Sequence, residues 1–321
     1  MSNYLITGAA GFIGSRLAET LLSEGHSVYG IDNVCDTYNP EFKWRRLGRL
    51  RSFVRFRFAH VDIEDGRALA NAVNGDTYDA VIHLAARAGV RTSVENPDAY
   101  VRTNILGTLN VLELCRGLRV RKLVAASSSS VYGANNPMPY TEGADTSFPL
   151  SPYAASKKAL EELCFTYHYL HGLDISALRF FTVYGPSGRP DMSMFRFVRA
   201  IVEGRSLTVF GDGNQMRDFS YVDDIVSGIR GALLPLGYRV FNLGASQPVK
   251  LNLVIETIER LAQRPAVIER KPADPSDVPA TWADVSRAQS ELNWQPRTSL
   301  EQGVGRTLDW YCENREWASR I

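Results

Sequence analysis

The 321-residue sequence has few of the residues that build metal centres and disulfide frameworks. It contains five histidines and four cysteines, and the cysteines lie far apart, at Cys35, Cys115, Cys164 and Cys312. Zinc sites and disulfide-rich folds depend on closely spaced cysteine and histidine pairs, such as Cys-x-x-Cys. The sequence therefore predicts no metal site and no disulfide framework. Cys35 is interpreted as an inert thiol.

Long apolar runs and an excess of charge of one sign are also missing. The first apolar run, Tyr4–Ile6, is short and follows no basic segment, so the start does not resemble a secretory signal. No stretch approaches the ~20 apolar residues that cross a bilayer. A net charge of +1 gives no overall preference for nucleic acid or membrane. We predict a soluble, cytoplasmic protein that binds neither.

One local cluster of charge departs from this balance. Between Lys43 and Arg57 the chain carries seven Lys or Arg residues and no acid. Such a run can bind phosphate or nucleic acid. We interpret it instead as an exposed helix followed by a strand, because nothing else in the chain resembles a nucleic-acid motif.

Short apolar runs alternate with amphipathic segments over the first two-thirds of the chain. The predicted strands are Tyr4–Thr7, Ser27–Ile31, Arg55–His60, Ala80–Leu84, Leu123–Ser127 and Ile175–Phe181. The predicted helices are Phe12–Glu24, Glu64–Val73, Pro97–Arg116 and Pro152–His171. This alternation predicts an α/β protein with a doubly wound parallel sheet.

The rhythm changes after Gly185, where glycine and proline become frequent. Leu207–Phe210 and Val240–Leu243 are predicted as isolated strands, and Lys271–Pro279 as a loop because it holds three prolines. We predict that residues 1–185 form the sheet domain, with segments near 210–245 returning to it. Residues 186–321 are predicted to form mainly a smaller α+β cap that binds substrate.

A glycine-rich turn joins the first predicted strand to the first helix. Glycines permit a tight turn and a close approach to a pyrophosphate, and the helix N-terminus favours that anion. The predicted contacts are Gly8, Gly11, Phe12, Ile13 and Gly14.

An acid at the end of the second strand favours NAD over NADP as the cofactor. Asp32 can accept hydrogen bonds from the adenosine ribose, and it repels a 2′-phosphate. Asn33 follows it, where an NADP enzyme often places arginine. The ends of the third and fourth strands supply further predicted contacts: Asp62, Ile63, Leu84, Ala85 and Ala86.

The segment Tyr153–Lys157 places a phenol and an ammonium group one helical turn apart. A free phenol has a pKa of ~10, and a nearby cation favours the phenolate. Tyr153 can then take the proton of a sugar hydroxyl. The serines Ser127–Ser130 follow the fifth strand, where hydroxyls can hydrogen-bond the reacting oxygen. We predict an oxidoreductase-type site.

Together these segments resemble the extended short-chain dehydrogenase/reductases with a Rossmann sheet, and among them the nucleotide-sugar epimerases. The matching pieces are Thr7–Gly14, His83–Ala86, Asn104, Ser127–Gly133, Tyr153–Lys157, Arg217–Phe219 and Tyr221–Asp224. They span almost the whole chain. The segment Arg179–Met192 is close to the pattern of UDP-glucuronate 4-epimerases. The resemblance implies an isomerase with tightly bound NAD, and a homodimer formed through helices Pro97–Arg116 and Pro152–His171.

The resemblance also assigns roles to individual residues. It makes Ser128 the catalytic serine beside Tyr153 and Lys157, and it adds Asn104 and Val183 to the cofactor contacts. The implied substrate contacts are Ser127, Ser128, Ser129, Thr182, Arg189, Arg217, Arg91 and Asp277. The loop before Asp277 is longer than the family pattern, so Arg270 or Lys271 can replace the second diphosphate contact.

The neighbours of the catalytic serine favour one reaction within the family. Dehydratases carry an Asp-Glu pair there and decarboxylases a Glu, whereas this chain has Ser129 and Ser130. Epimerisation needs only a reversible oxidation at C4, and neutral hydroxyls such as that of Thr182 can hold a uronate carboxylate. We predict conversion of UDP-glucuronate to UDP-galacturonate through a 4-keto intermediate. The alternatives are a UDP-glucose or UDP-N-acetylglucosamine 4-epimerase, a UDP-glucuronate decarboxylase and a non-catalytic NAD-binding regulator.

Overall fold

The predicted alternation of strands and helices is present in the computed structural model, which describes residues 1–73, 75–272 and 278–321. The strands are β1 Asn3–Thr7, β2 Ser27–Asp32, β3 Phe56–His60, β4 Ala80–His83, β5 Lys122–Ser128, β6 Asp174–Phe180, β7 Thr182–Tyr184, β8 Ser206–Phe210, β9 Met216–Tyr221, β10 Tyr238–Leu243, β11 Pro248–Lys250 and β12 Val267–Lys271. The helices are α1 Phe12–Ser23, α2 Glu41–Leu50, α3 Gly66–Ala72, α4 Val90–Glu95, α5 Pro97–Tyr100, α6 Gly107–Gly117, α7 Pro152–His171, α8 Ser193–Glu203, α9 Val222–Gly231, α10 Leu251–Ala262, α11 Ser286–Leu292, α12 Leu300–Glu313 and α13 Arg315–Ala318.

Seven parallel strands form the main sheet in the order β10-β6-β5-β4-β1-β2-β3. Each crossover between them contains at least one helix, as parallel pairing requires. The strand order reverses between β1 and β4, and Tyr4–Thr7 pairs with Ala80–His83 at this point. Ligands of such sheets bind outside the carboxyl ends of the strands at the reversal. The predicted doubly wound sheet is confirmed.

Hydrophobic side chains cover both faces of the sheet. Alternate residues of a strand point to opposite faces, so Leu5 of β1 joins one buried cluster and Ile6 joins the other. Every residue of β5 is buried. This burial on both faces explains why the central strands read as short continuous apolar runs.

Two of the predicted elements differ from the structure. Val240–Leu243 is not isolated, because it belongs to β10, which pairs with β6 at the edge of the main sheet. Leu207–Phe210 belongs to β8 and pairs with β12 in a two-stranded parallel sheet. A three-stranded sheet in the order β11-β9-β7 completes the later half. Such pairings join residues far apart in sequence, and local periodicity does not report them.

The predicted helix Pro97–Arg116 is also interrupted. Between α5 and α6, residues Val101–Leu106 form a π-helical segment, whose wider turn shifts the side chains relative to a regular helix. Among the described residues, no helix is long and apolar enough to cross a membrane, and His, Cys, Asp and Glu side chains form no cluster suited to a metal ion.

Candidate active site

A cleft opens at the carboxyl edge of the main sheet, around the reversal point between β1 and β4. Most of the residues predicted to bind the cofactor or to take part in catalysis line this cleft. They are Gly8, Gly11, Phe12, Ile13, Gly14, Asp32, Asn33, Asp62, Ile63, Leu84, Ala85, Ala86, Ser127, Ser128, Tyr153, Lys157, Val183 and Arg189.

The glycine-rich turn packs closely against the main chain that follows β4. Gly8 has a φ of +75°, and a Cβ there would lie 2.6 Å from the amide nitrogen of Ala85. A Cβ on Gly14 would overlap the carbonyl oxygen of Gly8. No side chain caps the start of α1, so its first amide groups are left for a ligand. The turn therefore fits a dinucleotide pyrophosphate at a helix N-terminus.

Asp32 lies at the end of β2 with its carboxylate held in place. It accepts hydrogen bonds from the amide nitrogens of Ala10, at 3.1 Å, and Val34, at 2.8 Å. Beside it, the Asn33 amide donates to the Asp62 carboxylate at 2.7 Å. A fixed carboxylate at this position fits the ribose hydroxyls of an adenosine.

Sequence reasoning missed a lysine in this part of the cleft. The Nζ of Lys43 lies 3.8 Å from an Asp32 carboxylate oxygen and 3.2 Å from the Sγ of Cys35. Burial alone would raise the pKa of the Cys35 thiol, but hydrogen bonding to Thr37 and the charge of Lys43 outweigh it and lower the pKa. The thiol interpreted as inert therefore lies in surroundings that favour the thiolate.

The interpretation of the basic run as an exposed helix is wrong for two of its residues. Lys43 and Arg46 of α2 are both 6% exposed. Arg46 donates to the carbonyl oxygen of Ala10 at 3.2 Å, the hydroxyl of Tyr38 at 2.7 Å and the carbonyl oxygen of Ser187 at 2.5 Å. The signal available in the sequence was their i, i+3 spacing, which places both on one face of a helix.

The catalytic candidates meet where α7 begins and β5 ends. Ser151 caps α7 by accepting a hydrogen bond from the amide nitrogen of Ala154 at 3.1 Å. The helix therefore starts at Pro152, and Tyr153 lies in its first turn above the sheet edge. Ser128 is the last residue of β5, and its side chain is close enough to Tyr153 to lower the pKa of that phenol. The predicted grouping of Ser128, Tyr153 and Lys157 lies in one part of the cleft.

Burial acts in opposite directions on the phenol and the ammonium group. It raises the pKa of Tyr153, while the hydrogen bond from Ser128 and the positive charge of Arg189 act the other way. It lowers the pKa of Lys157 to about 8, against the charge of Glu161. Since Lys157 is still protonated near pH 7, its charge is available to favour a phenolate nearby.

Asn104, predicted as a cofactor contact, instead bonds to two neighbouring segments of the chain. It lies in the π-helical segment and is 1% exposed. Its side-chain oxygen accepts a hydrogen bond from the main-chain nitrogen of Arg87 at 2.8 Å. Its side-chain nitrogen donates to the main-chain carbonyl oxygen of Arg87 at 3.0 Å and to the Ser156 hydroxyl at 2.9 Å. Asn104 thus connects the segment after β4 to α7, and it is not among the residues that line the cleft.

The predicted substrate contacts are divided between the cleft and its surroundings. Arg189 lines the cleft, where it pairs with Asp191 at 2.6 Å and donates to the carbonyl oxygen of Ala88 at 3.2 Å. Ser127 also lines it, but its hydroxyl donates to the Glu161 carboxylate. Four predicted contacts are not among the lining residues: Ser129, Thr182, Arg217 and Arg91. Asp277 lies outside the described residues.

The four predicted contacts that do not line the cleft belong to different helices, strands and turns. Ser129 begins a short 3₁₀ turn, Thr182 begins β7 and Arg217 lies on β9. The Arg91 guanidinium lies 4.2 Å from the ring centre of Phe210. The three arginine candidates thus come from separate segments, and Arg189 is the one of the three that lines the cleft. Sequence spacing does not reveal this arrangement.

The whole chain is similar to known proteins. A UDP-glucuronate 4-epimerase of Thermodesulfobacterium geofontis is 50% identical, with 100% of this chain and 99% of that protein covered. A crystal structure of the Bacillus cereus UDP-glucuronic acid 4-epimerase with UDP-glucuronic acid and NAD is 36% identical with a TM-score of 0.92, covering 97% of this chain and 99% of that one.

A neutral-sugar enzyme is also similar in structure. The UDP-glucose 4-epimerase of Thermotoga maritima with UDP-glucose is 30% identical with a TM-score of 0.91, covering 98% of this chain and 99% of that one. The sequence profile of the NAD dependent epimerase/dehydratase family matches residues 4–244. The cleft geometry and these similarities agree: the chain belongs to the NAD dependent epimerase/dehydratase family.

Proposed function

We propose that the protein interconverts the C4 epimers of a UDP-sugar with NAD as its cofactor, and that its substrate is UDP-glucuronate. The observation that carries the proposal is the grouping of Ser128, Tyr153 and Lys157 in the cleft that also contains the glycine-rich turn. The 50% identical relative named as a UDP-glucuronate 4-epimerase supports it along the whole chain. The Bacillus cereus structure contains both UDP-glucuronic acid and NAD.

The residues of the cleft are assigned to the parts of the cofactor. The turn from Gly8 to Gly14 holds the pyrophosphate, and Asp32 with Lys43 faces the adenosine ribose. When bound, NAD would supply the hydride chemistry at C4 of the sugar, as the acceptor in the oxidation and, in its reduced form, as the donor in the reduction. Because the hydride returns to the sugar, the cofactor is regenerated in each cycle and can stay bound.

Tyr153 is the acid and base of the reaction. It takes the proton of the C4 hydroxyl when C4 is oxidised and returns a proton when C4 is reduced. Ser128 donates a hydrogen bond to the same oxygen. The charges of Lys157 and of a bound nicotinamide ring would both favour the phenolate, against the burial that raises the pKa of Tyr153. The 4-keto sugar turns about its diphosphate between the two steps, so that both faces of C4 meet the cofactor.

Arginines supply the charge that holds the diphosphate. Arg189 is the first candidate because it already lines the cleft. Arg217 on β9 and Arg91 on α4, which do not line the cleft, are proposed as further contacts. A guanidinium forms paired hydrogen bonds with phosphate oxygens, which makes arginine suited to this role.

The choice of a uronate epimerase follows from the groups beside the catalytic serine. Ser129 and Ser130 supply hydroxyls, whereas eliminations and decarboxylations call for an additional acid or base. The carboxylate that bonds to the neighbouring Ser127, that of Glu161, is 2% exposed and paired with Arg179. Thr182 stands at a position where galactose epimerases typically have Asn, and this difference argues against a neutral-sugar substrate. Neutral donors hold the substrate carboxylate without adding a base that would promote loss of CO₂.

Incubating the pure protein separately with UDP-glucuronate and with UDP-glucose tests the assignment. We expect UDP-galacturonate from the first and little product from the second. Turnover of UDP-glucose alone would favour the neutral-sugar epimerase, and UDP-pentose as the main product from UDP-glucuronate would favour a decarboxylase.

We also propose that the protein is a cytoplasmic homodimer whose residues 1–185 bind mainly NAD and whose later residues bind mainly substrate. The helical stretch 97–117 and α7 expose apolar side chains, among them Val101, Leu106, Phe165 and Leu170. Apolar patches of this kind are typical of subunit interfaces. Light scattering coupled to gel filtration measures the oligomeric state, and cell fractionation measures the compartment.

A further inference from the structure

A buried cluster of polar side chains lies directly behind the catalytic residues. The Ser127 hydroxyl donates to a Glu161 carboxylate oxygen at 2.6 Å. The Arg179 guanidinium donates to both oxygens of the same carboxylate, each at 2.8 Å. All three residues are at most 3% exposed. The cluster joins the end of β5 to α7 and to β6.

The charges in this cluster are balanced and their hydrogen bonds are extensive. The Arg179–Glu161 pair is bidentate, the geometry that best offsets the loss of water around two buried ions. The Arg179 guanidinium also lies 4.8 Å from the ring centre of Tyr132 and donates to the Glu142 carbonyl oxygen at 3.2 Å. A carboxylate held in this way is a fixed anchor for the Ser127 hydroxyl.

The anchor continues the row of catalytic side chains along α7. Tyr153, Lys157 and Glu161 follow one another at intervals of four residues and share one face of the helix. Two of them bond to the end of β5: Lys157 donates to the carbonyl oxygen of Ala126 at 2.7 Å, and Glu161 accepts from Ser127. Tyr153 lines the same cleft as Ser128, the last residue of β5.

We infer that Ser127, Glu161 and Arg179 are positioning residues, which hold the end of β5 against α7 so that Ser128, Tyr153 and Lys157 keep their reactive geometry. The inference rests on the proposed function of that site. It gives Ser127 a role that differs from the substrate contact implied by family resemblance. Small displacements of reacting groups can reduce rates by about 10²-fold. Loss of a hydrogen bond that positions these groups should therefore lower kcat.

A second ion pair, which joins β5 to β6, provides a matched control. Lys122 at the start of β5 donates to the Asp174 carboxylate at 2.5 Å and to the Ser176 hydroxyl at 2.9 Å. Lys122 is 6% exposed. This pair lies at the opposite end of β5 from Ser128, so its loss should weaken the fold without disturbing the catalytic residues.

Steady-state kinetics with UDP-glucuronate test the inference on Ser127→Ala, Ser127→Thr, Glu161→Gln and Asp174→Asn. Thermal unfolding shows which variants fold. We expect Ser127→Ala and Glu161→Gln to lower kcat about tenfold or more, with KM for UDP-glucuronate within twofold of wild type. Ser127→Thr, which keeps the hydroxyl, should recover much of the lost kcat. Asp174→Asn should lower the melting temperature and leave kcat unchanged.

Two results would overturn the inference while the proposed function stands. The first is a raised KM with an unchanged kcat in Ser127→Ala, which would make Ser127 a substrate contact. The second is a wild-type kcat in both folded variants, Ser127→Ala and Glu161→Gln. Wild-type protein that does not turn over UDP-glucuronate would overturn the proposed function and the inference together.

Discussion

The Nζ of Lys157 donates a 2.7 Å hydrogen bond to the main-chain carbonyl oxygen of Ala126. Lys157 lies on α7 and Ala126 two residues before the end of β5, so this bond fixes the catalytic helix against the catalytic strand. It also holds an ammonium group one helical turn from Tyr153, in a site where Lys157 is 2% exposed. Charge placed in such a dry site acts more strongly on its neighbours than in water.

Replacing the phenol hydroxyl tests the acid and base assigned to the reaction. Tyr153→Phe should lower kcat by about 10²- to 10⁴-fold, the usual contribution of a positioned proton-transfer group. NAD should remain bound, because the glycine-rich turn is unchanged. Tyr169→Phe on the exposed side of the same helix is the control. Full activity in Tyr153→Phe would contradict the mechanism, and no turnover by the wild type with NAD bound would indicate a non-catalytic regulator.

Adding a methyl group at Gly14 tests the cofactor turn. Gly14→Ala should lower both the melting temperature and the NAD content of the purified protein, since its Cβ would overlap the carbonyl oxygen of Gly8. Gly305→Ala on α12 meets no atom within 4 Å. That control should keep its NAD and gain about 0.5–1 kcal/mol of helix stability. Equal NAD content in the two variants would argue against the assignment of the turn.

Removing the Thr182 hydroxyl tests how the substrate carboxylate is retained. The 4-keto form of a uronic acid is a β-keto acid and loses CO₂ readily, so weaker binding of its carboxylate should increase decarboxylation. Thr182→Ala should release a larger share of UDP-pentose. Thr182→Ser should give the same ratio of UDP-pentose to C4 epimer as the wild type. Chromatography of the products measures the ratio. An unchanged ratio in Thr182→Ala would count against a role for this hydroxyl.

A buried histidine predicts how stability depends on pH. His83 lies between the hydroxyls of Thr7, at 2.7 Å, and Thr108, at 3.1 Å. Burial, aided by the charge of Lys157, lowers its pKa to about 3. Because the unfolded chain binds a proton near pH 6.5 and the folded chain does not, the unfolding free energy falls as the pH drops from about 6.5 toward 3.

The slope due to this one group reaches ~1.4 kcal/mol per pH unit. Urea unfolding of the wild type and His83→Gln between pH 4 and 7 measures it, and the variant should show the shallower slope. His171→Gln is the control, because His171 is exposed in the folded protein. Parallel slopes in wild type and His83→Gln would contradict the assignment.

The sequence was most informative where function depends on local chain geometry. The turn from Gly8 to Gly14 and the pair Tyr153 and Lys157 each lie within one strand–helix junction, so spacing alone predicts their arrangement. The ends of parallel strands meet at one edge of the sheet, and this general rule placed Asp32 and Ser128 in a common cleft.

Contacts between segments that are distant in sequence could not be predicted from local spacing. An Asn within a helix is usually solvated, but Asn104 lies in the π-helical segment, is 1% exposed and accepts a hydrogen bond from the main-chain nitrogen of Arg87. The orientation of Ser127 toward Glu161 depends on how α7 packs on β5. The pairing of β10 with β6 is likewise a tertiary event, in which sequence periodicity identifies a strand but not its neighbour.

Product analysis of UDP-glucuronate incubated with the purified protein, without added NAD, is a direct test of 4-epimerisation with a retained cofactor. We expect UDP-galacturonate, with the same equilibrium mixture reached from either epimer, because the cofactor is regenerated in each cycle and stays bound. If folded protein forms no UDP-galacturonate even after NAD is added, the protein is not a UDP-glucuronate 4-epimerase.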